Sequence, residues 1–157
     1  MGVVPANADY ALKLNLTVAN SSSSTITSSD YEVIIPTAFT IAQSGWNEIT
    51  DGITAKVSGD KTFSSEYRLV VTPSSGSGAL TADGIADTIG YTLMSTSNDK
   101  ASEWVFTADE LNASKDNVIT GTTKTLGVHV EDYSNKPNGD YSDTITFTAS
   151  VESAAND

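Results

Sequence analysis

The sequence predicts an all-β protein, a single and mostly antiparallel Ig-like β-sandwich of about seven to nine strands with at most one short helical turn. Apolar and polar residues alternate along most of the chain, which is the pattern of half-buried strands. The segments between these runs are rich in Ser, Gly, Asn and Asp, which favour turns, and helical periodicity is nearly absent. Because 38% of the 157 residues are hydrophobic, the chain can form one domain around one core.

The first strand is "YALKLNLTV", because four apolar side chains alternate with polar ones and therefore share a face. These side chains are Leu12, Leu14, Leu16 and Val18. A Ser-rich tract, "ANSSSSTITSS", follows this strand. We expect the next strands at "YEVII" and "FTI", with a bend or an edge position at the intervening Pro36, because proline cannot donate a ladder hydrogen bond.

Alternation continues through "ITAKV", "EYRLVVT", "TIGYTLM", "EWVF" and "TLGVHVE", each of which we expect to be a strand. The closing strand carries Ile145, Phe147, Ala149 and Val151 on one face. "PSSGSG" and "SGWNE" have the composition of a loop and a turn. In "TADEL", Thr107 and the glutamate three residues later have the form of a capping box, which predicts a single helical turn.

Charge and composition argue against several classes of partner. The net charge of −12 opposes binding to nucleic acid and to anionic lipid, since both depend on Lys and Arg. No apolar run reaches the length of a membrane span, so we expect no membrane insertion. The absence of cysteine rules out disulfides and thiolate metal sites.

The N-terminal "VVPANA" resembles the small-residue end of a secretory cleavage site, which predicts a secreted, extracellular or cell-surface protein. We expect residues 1–8 to be a leader remnant or tail. Residues 9–152 then form the sandwich domain, in which 9–19 is a possible exchangeable strand and 20–30 its Ser-rich linker. Residues 153–157 form a C-terminal tail.

The chain offers no catalytic constellation, and we expect no enzymatic activity. Its single histidine, His129, is predicted to be an exposed strand residue without a nucleophile motif nearby. The acidic turn at 131–143 can supply oxygen ligands for calcium, or it can be a solvated acidic rim; no other cofactor is predicted. Trp46 lies in a turn context and is the candidate for a ligand-binding surface, whereas Trp104 is expected in the core.

Four short motifs occur in order over residues 31–152: "YEVIIP", "RLVVTP", "WVFTADEL" and "GDYSDT". They resemble those of secreted, cell-surface β-sandwich proteins of Gram-positive gut bacteria, which are pilin-like or adhesin-like. The closing motif is also similar to that of pilus and spore-coat sandwich subunits. The resemblance implies an extracellular structural or adhesive role and carries over no catalytic residues.

Two functions remain open on the sequence. The first is a structural subunit of a pilin-like or biofilm filament, in which Leu12, Leu14, Leu16 and Val18 complete the sheet of a neighbouring copy beside the closing strand. The same strand can instead pair within its own sandwich. The second function is a monomeric adhesin or carbohydrate-binding module, dependent or not on calcium, that recognises glycans or a host surface near Trp46.

Overall fold

The computed structural model describes residues 10–21, 26–27, 30–59, 61–74, 77–113 and 122–154. The described part of the chain contains twelve strands and one short helix. The strands are β1 (Tyr10–Asn20), β2 (Tyr31–Ile34), β3 (Ala38–Ile41), β4 (Gly45–Glu48), β5 (Ile53–Val57), β6 (Tyr67–Pro73), β7 (Ser77–Ala82), β8 (Ile85–Met94), β9 (Trp104–Phe106), β10 (Thr122–Lys124), β11 (Gly127–Val130) and β12 (Gly139–Ser153). The helix is α1 (Ala108–Asn112). Within these residues no helix is long and apolar enough to cross a membrane.

The predicted all-β, mostly antiparallel architecture is confirmed, as is the helical turn. Thr107 caps α1: its hydroxyl accepts from the Glu110 amide while the Glu110 carboxylate accepts from the Thr107 amide. This reciprocal pairing satisfies two backbone donors that the first turn of a helix leaves unpaired.

The expected number of about seven to nine strands was too low. Two of the additional strands are β4, which lies where the composition predicted a turn, and β7, whose first two residues belong to the predicted loop "PSSGSG". β7 exists because it forms a hairpin with β8, turning at Asp83 and Gly84, and Gly84 has the positive φ that such a turn requires. The third, β10, pairs with β5 over three residues. In each case the strand forms because a neighbouring strand supplies its hydrogen bonds, and not because its residues favour a strand locally.

The centre of the larger sheet is the pairing of β1 with β12. The two strands run parallel, from Tyr10 opposite Gly139 to Asn20 opposite Ala149. β3 lies antiparallel on the other side of β1. On the far side of β12, its later part pairs with β6 and its earlier part contacts β7 at Ser142.

The larger sheet curves back on itself. One path through it runs β3-β1-β12-β7-β8-β11-β4, and its two end strands are separated in the chain only by residues 42–44. The buried amide of Asn47 holds this connection: it accepts from Ala42 N and donates to the carbonyls of Gln43 and Gly45. The ends of the curved sheet therefore meet at one polar corner.

A second sheet of three strands, β10-β5-β2, lies across from the larger one. Its alternate residues Val33, Ile53 and Ala55 belong to the same core cluster as the apolar face of β1. The described residues thus enclose one continuous core between two layers of strands.

Candidate functional site

The sequence singled out the first strand, β1, as the candidate functional element. The structure places β1 inside its own sheet. Leu12, Leu14 and Leu16 are buried, with 0–2% of their surface exposed, and Val18 packs at the rim of the core. Burial of each leucine contributes about 1.5–3 kcal/mol. We call the space that β1 fills between β3 and β12 the β1 slot.

The hydrogen-bonding edge of β12 forms one wall of the β1 slot, and the apolar face of β12 continues that of β1 on the core side. Ile145, Phe147 and Ala149 are buried there, and Val151 is partly buried, so the predicted face of the closing strand is confirmed. In the parallel register, Leu16 lies opposite Ile145 and Val18 opposite Phe147. Apolar side chains of the first and last strands are therefore nearest neighbours on one face.

Backbone hydrogen bonding along β1 is extensive on both sides. The ladder to β12 spans the whole of β1, and β3 adds pairing from Leu12 to Asn15. The amide of Leu16 then donates to the Thr37 carbonyl at 2.9 Å. The exchangeable strand predicted at 9–19 extends to Asn20, and residue 9 lies outside the described residues.

The Tyr10 end of β1 is held by an aromatic contact and a hydrogen bond. The ring of Tyr10 meets that of Tyr133 edge to face, with centroids 5.1 Å apart. Its hydroxyl donates to the Lys136 carbonyl at 2.8 Å. Tyr133 is fully buried, which raises the pKa of its phenol, with a further contribution from Tyr10. The Tyr10 end of β1 is therefore tied to the segment between β11 and β12.

The tract predicted as a Ser-rich linker is anchored at its described residues. Ser21 binds the Ala149 carbonyl through both its amide and its hydroxyl, each at 2.9 Å. Ile26 is buried in the core with 3% of its surface exposed. Asp30 accepts from the Thr27 amide at 3.0 Å. Residues 22–25 and 28–29, like the predicted leader remnant at 1–8, lie outside the described residues.

The acidic side chains of the turn at 131–143 bind separate partners in the fold. Asp143 lies on the same face of β12 as Tyr141 and Ile145, and its carboxylate accepts from the Tyr91 hydroxyl. Glu131 instead accepts from the Gly90 amide. Among the residues described, no three acidic or histidine side chains are grouped so as to hold a metal ion.

Trp46, the candidate for a ligand surface, lies in β4 and not in a turn. It is half-buried, and its ring lies against Gly127 of β11 so closely that a Cβ on that glycine would fall 2.2 Å from the indole. The predictions for Trp104 and His129 are confirmed. Trp104 is buried, with its indole N–H donating to the Thr125 carbonyl, and His129 is exposed.

Sequence reasoning missed a two-pronged bond at Asn112. The amide of this side chain accepts from Phe63 N at 2.8 Å and donates to Phe63 O at 2.9 Å. It thereby joins the segment before β6 to the end of α1. The only signal in the sequence was an asparagine at the end of a predicted helical turn.

Comparison with family models, with curated proteins and with solved structures yielded no match for this chain.

Proposed function

We propose that this chain is a structural subunit of an extracellular surface assembly, with an Ig-like sandwich fold, and that copies of it join by exchanging β1. The observation that carries the proposal is the β1 slot. One strand, connected to the rest of the described fold through a single tract after Asn20, fills a groove walled by β3 and β12. A β1 from a second copy fits this groove with the same side chains and the same ladder.

Exchange of an identical element changes few contacts, which is why it is a low-cost route to association. Each β1 that leaves its own slot exposes the edge of β12 and the face of Phe147, and each β1 that arrives covers them again. The extent of association then depends mainly on the tract at 21–30 and on protein concentration. Extracellular placement is supported by the resemblance of the motifs in residues 31–152 to those of cell-surface sandwich proteins.

The test is complementation of a chain that begins at Thr25 and therefore lacks β1. A synthetic peptide of residues 9–21 is added, and folding is followed by circular dichroism and mass by light scattering. We expect the truncated chain to be poorly folded alone and to bind the peptide in a one-to-one complex with the spectrum of the full chain.

The control is the same peptide with Leu14→Asp. Leu14 is fully buried opposite Asp143 in the register, so the substitution introduces a second carboxylate beside the first. We expect this peptide not to bind. The proposal is wrong if the truncated chain folds without peptide, or if the full chain remains monomeric at all concentrations, including during slow refolding at high concentration.

A further inference from the structure

Three backbone and side-chain donors meet where β1 ends. The Ser21 amide and hydroxyl both bind the Ala149 carbonyl of β12. The hydroxyl of Tyr31 donates to the Ser21 carbonyl at 2.7 Å and lies 3.3 Å from the same Ala149 oxygen, so its single proton is shared between them. We call Ser21, Tyr31 and Ala149 the Ser21 junction.

The Ser21 junction connects the two sheets. Tyr31 is the first residue of β2 in the three-stranded sheet, whereas Ala149 lies in the larger sheet. The phenol ring is 2% exposed and meets Phe63 edge to face at 6.3 Å between centroids. Because the ring is fixed by this packing, the hydroxyl reaches across to β12 from a rigid support.

Asp30, the residue before Tyr31, is a second anchor of the chain that connects β1 to β2. The amide of Asp30 donates to the Thr27 carbonyl, and its own carbonyl accepts from the Ser58 amide, which follows β5. A salt bridge to Lys61 at 3.6 Å accompanies these bonds. The segment that must open for β1 to leave is therefore tied to both sheets.

We propose that the Ser21 junction is a latch that holds β1 in its own slot and sets the rate at which β1 is released to a second copy. The partner is another copy of this chain, and the assembly part of this inference rests on the proposed function. The reasoning is geometric: β1 is joined to β2 through the tract after Asn20, so β1 cannot move to another copy until this end separates from Ala149. The cross-sheet bonds of Tyr31 oppose that separation directly.

Tyr31→Phe tests the latch because it removes the hydroxyl and retains the packed ring. Amide hydrogen exchange is measured residue by residue in the full chain. We expect the amides of β1 near Asn20 to exchange about five- to tenfold faster, since one buried hydrogen bond is lost. The amides of β6 and β9 provide the internal reference and are expected to be unchanged.

Tyr141→Phe is the matched control. Tyr141 is as deeply buried, and its hydroxyl donates to a carbonyl only four residues away, that of Pro137 at 2.6 Å. We expect its effect to be local and to leave the Asn20 end of β1 unchanged. If Tyr31→Phe loosens the whole fold, Ser21→Ala at the half-buried partner supplies the second variant, with the same expected increase at β1.

Light scattering after prolonged incubation separates the two proposals. Faster exchange of β1 together with faster growth of oligomers supports both. If β1 exchanges faster but the chain never associates, the Ser21 junction holds β1 in its slot as proposed, and assembly by strand exchange is contradicted. Unchanged exchange of β1 in both variants overturns the latch, whatever the mass.

Discussion

The hydroxyl of Tyr91 in β8 donates a 2.5 Å hydrogen bond to the carboxylate of Asp143 in β12, across the strand that separates them. That strand is β7, and it carries Gly78 at the crossing, where a Cβ would lie 2.8 Å from the phenol oxygen. A glycine is therefore required for the two side chains to meet. The pair links one half of the curved sheet to the strand that forms the wall of the β1 slot.

Tyr91→Phe is expected to lower the free energy of unfolding by about 1–3 kcal/mol, because it leaves the partly buried Asp143 carboxylate without its donor. Urea denaturation measures the change. The control is Tyr67→Phe at the half-buried start of β6, with an expected effect within about 0.5 kcal/mol. Equal effects of the two substitutions would show that the bond to Asp143 contributes nothing specific.

Gly127→Ala is expected to destabilise the protein by about 1–3 kcal/mol through overpacking. The new Cβ would fall 2.2 Å from the ring of Trp46 and 2.9 Å from the Asn47 carbonyl, so the indole must move. Tryptophan fluorescence reports the movement, and thermal unfolding reports the loss of stability. Gly90→Ala is the matched control, because the atom nearest to its new Cβ is a Glu131 carboxylate oxygen at 3.4 Å, an ordinary van der Waals distance. An unchanged emission spectrum for Gly127→Ala would contradict the placement of Trp46.

Asn112→Asp is expected to cost about 1–3 kcal/mol, because the carboxylate keeps the bond from Phe63 N but repels the Phe63 carbonyl that the amide N–H₂ now binds. Chemical denaturation checks the value, and hydrogen exchange at Phe63 locates it. Asn98→Asp, at an exposed turn, changes charge equally and is expected to be nearly neutral. A loss of similar size at both positions would instead indicate a general effect of added negative charge.

Stability is expected to fall in alkaline solution because of the buried tyrosines. Burial is the first cause that raises their pKa, and at Tyr91 the Asp143 carboxylate raises it further. The tyrosines with raised pKa are Tyr31, Tyr91, Tyr133 and Tyr141. Since the folded state holds these protons more tightly than the unfolded chain, the stabilisation is complete below about pH 10 and is lost as the pH rises toward the folded pKa values.

Urea denaturation at about pH 8 and about pH 11 measures this loss, and absorbance titration of the phenolates locates it. Tyr91→Phe removes one of the four groups, so its stability should depend less steeply on pH than that of the unaltered chain. A free energy of unfolding that stays constant over this range would contradict the burial of these phenols.

Local pattern was sufficient to predict most of the strands and their buried faces. The alternation in "YALKLNLTV" identified Leu12, Leu14 and Leu16 as one face, and all three are buried. The capping box at Thr107 likewise predicted α1 from residues three apart. These features depend on the period of the backbone and on contacts within one turn, so a short stretch of sequence contains all the information they need.

The strands that were missed lack this local signal. β4 contains Gly and Asn, β7 contains Gly and Ser, and neither has the regular alternation of a half-buried strand. Their hydrogen bonds come from β11, which is distant in the chain, and from β8, which is adjacent. The position of Trp46 was missed for the same reason, since Gly127 accommodates the indole from a strand some eighty residues further along. Composition alone cannot distinguish an exposed turn from a strand whose partner lies elsewhere in the chain.

The sequence by itself determined that the chain forms strands, which side of most of them is apolar, and where the one helical turn begins. Only the tertiary structure decided that β1 lies parallel to β12 inside its own sheet, that Asp143 turns toward Tyr91, and that Tyr31 reaches Ala149. The reason is that every residue other than proline offers the same backbone N–H and C=O groups, so these groups do not themselves select which strands pair. The choice of partner depends on which side chains meet across the core, a property of the whole chain that no single segment contains.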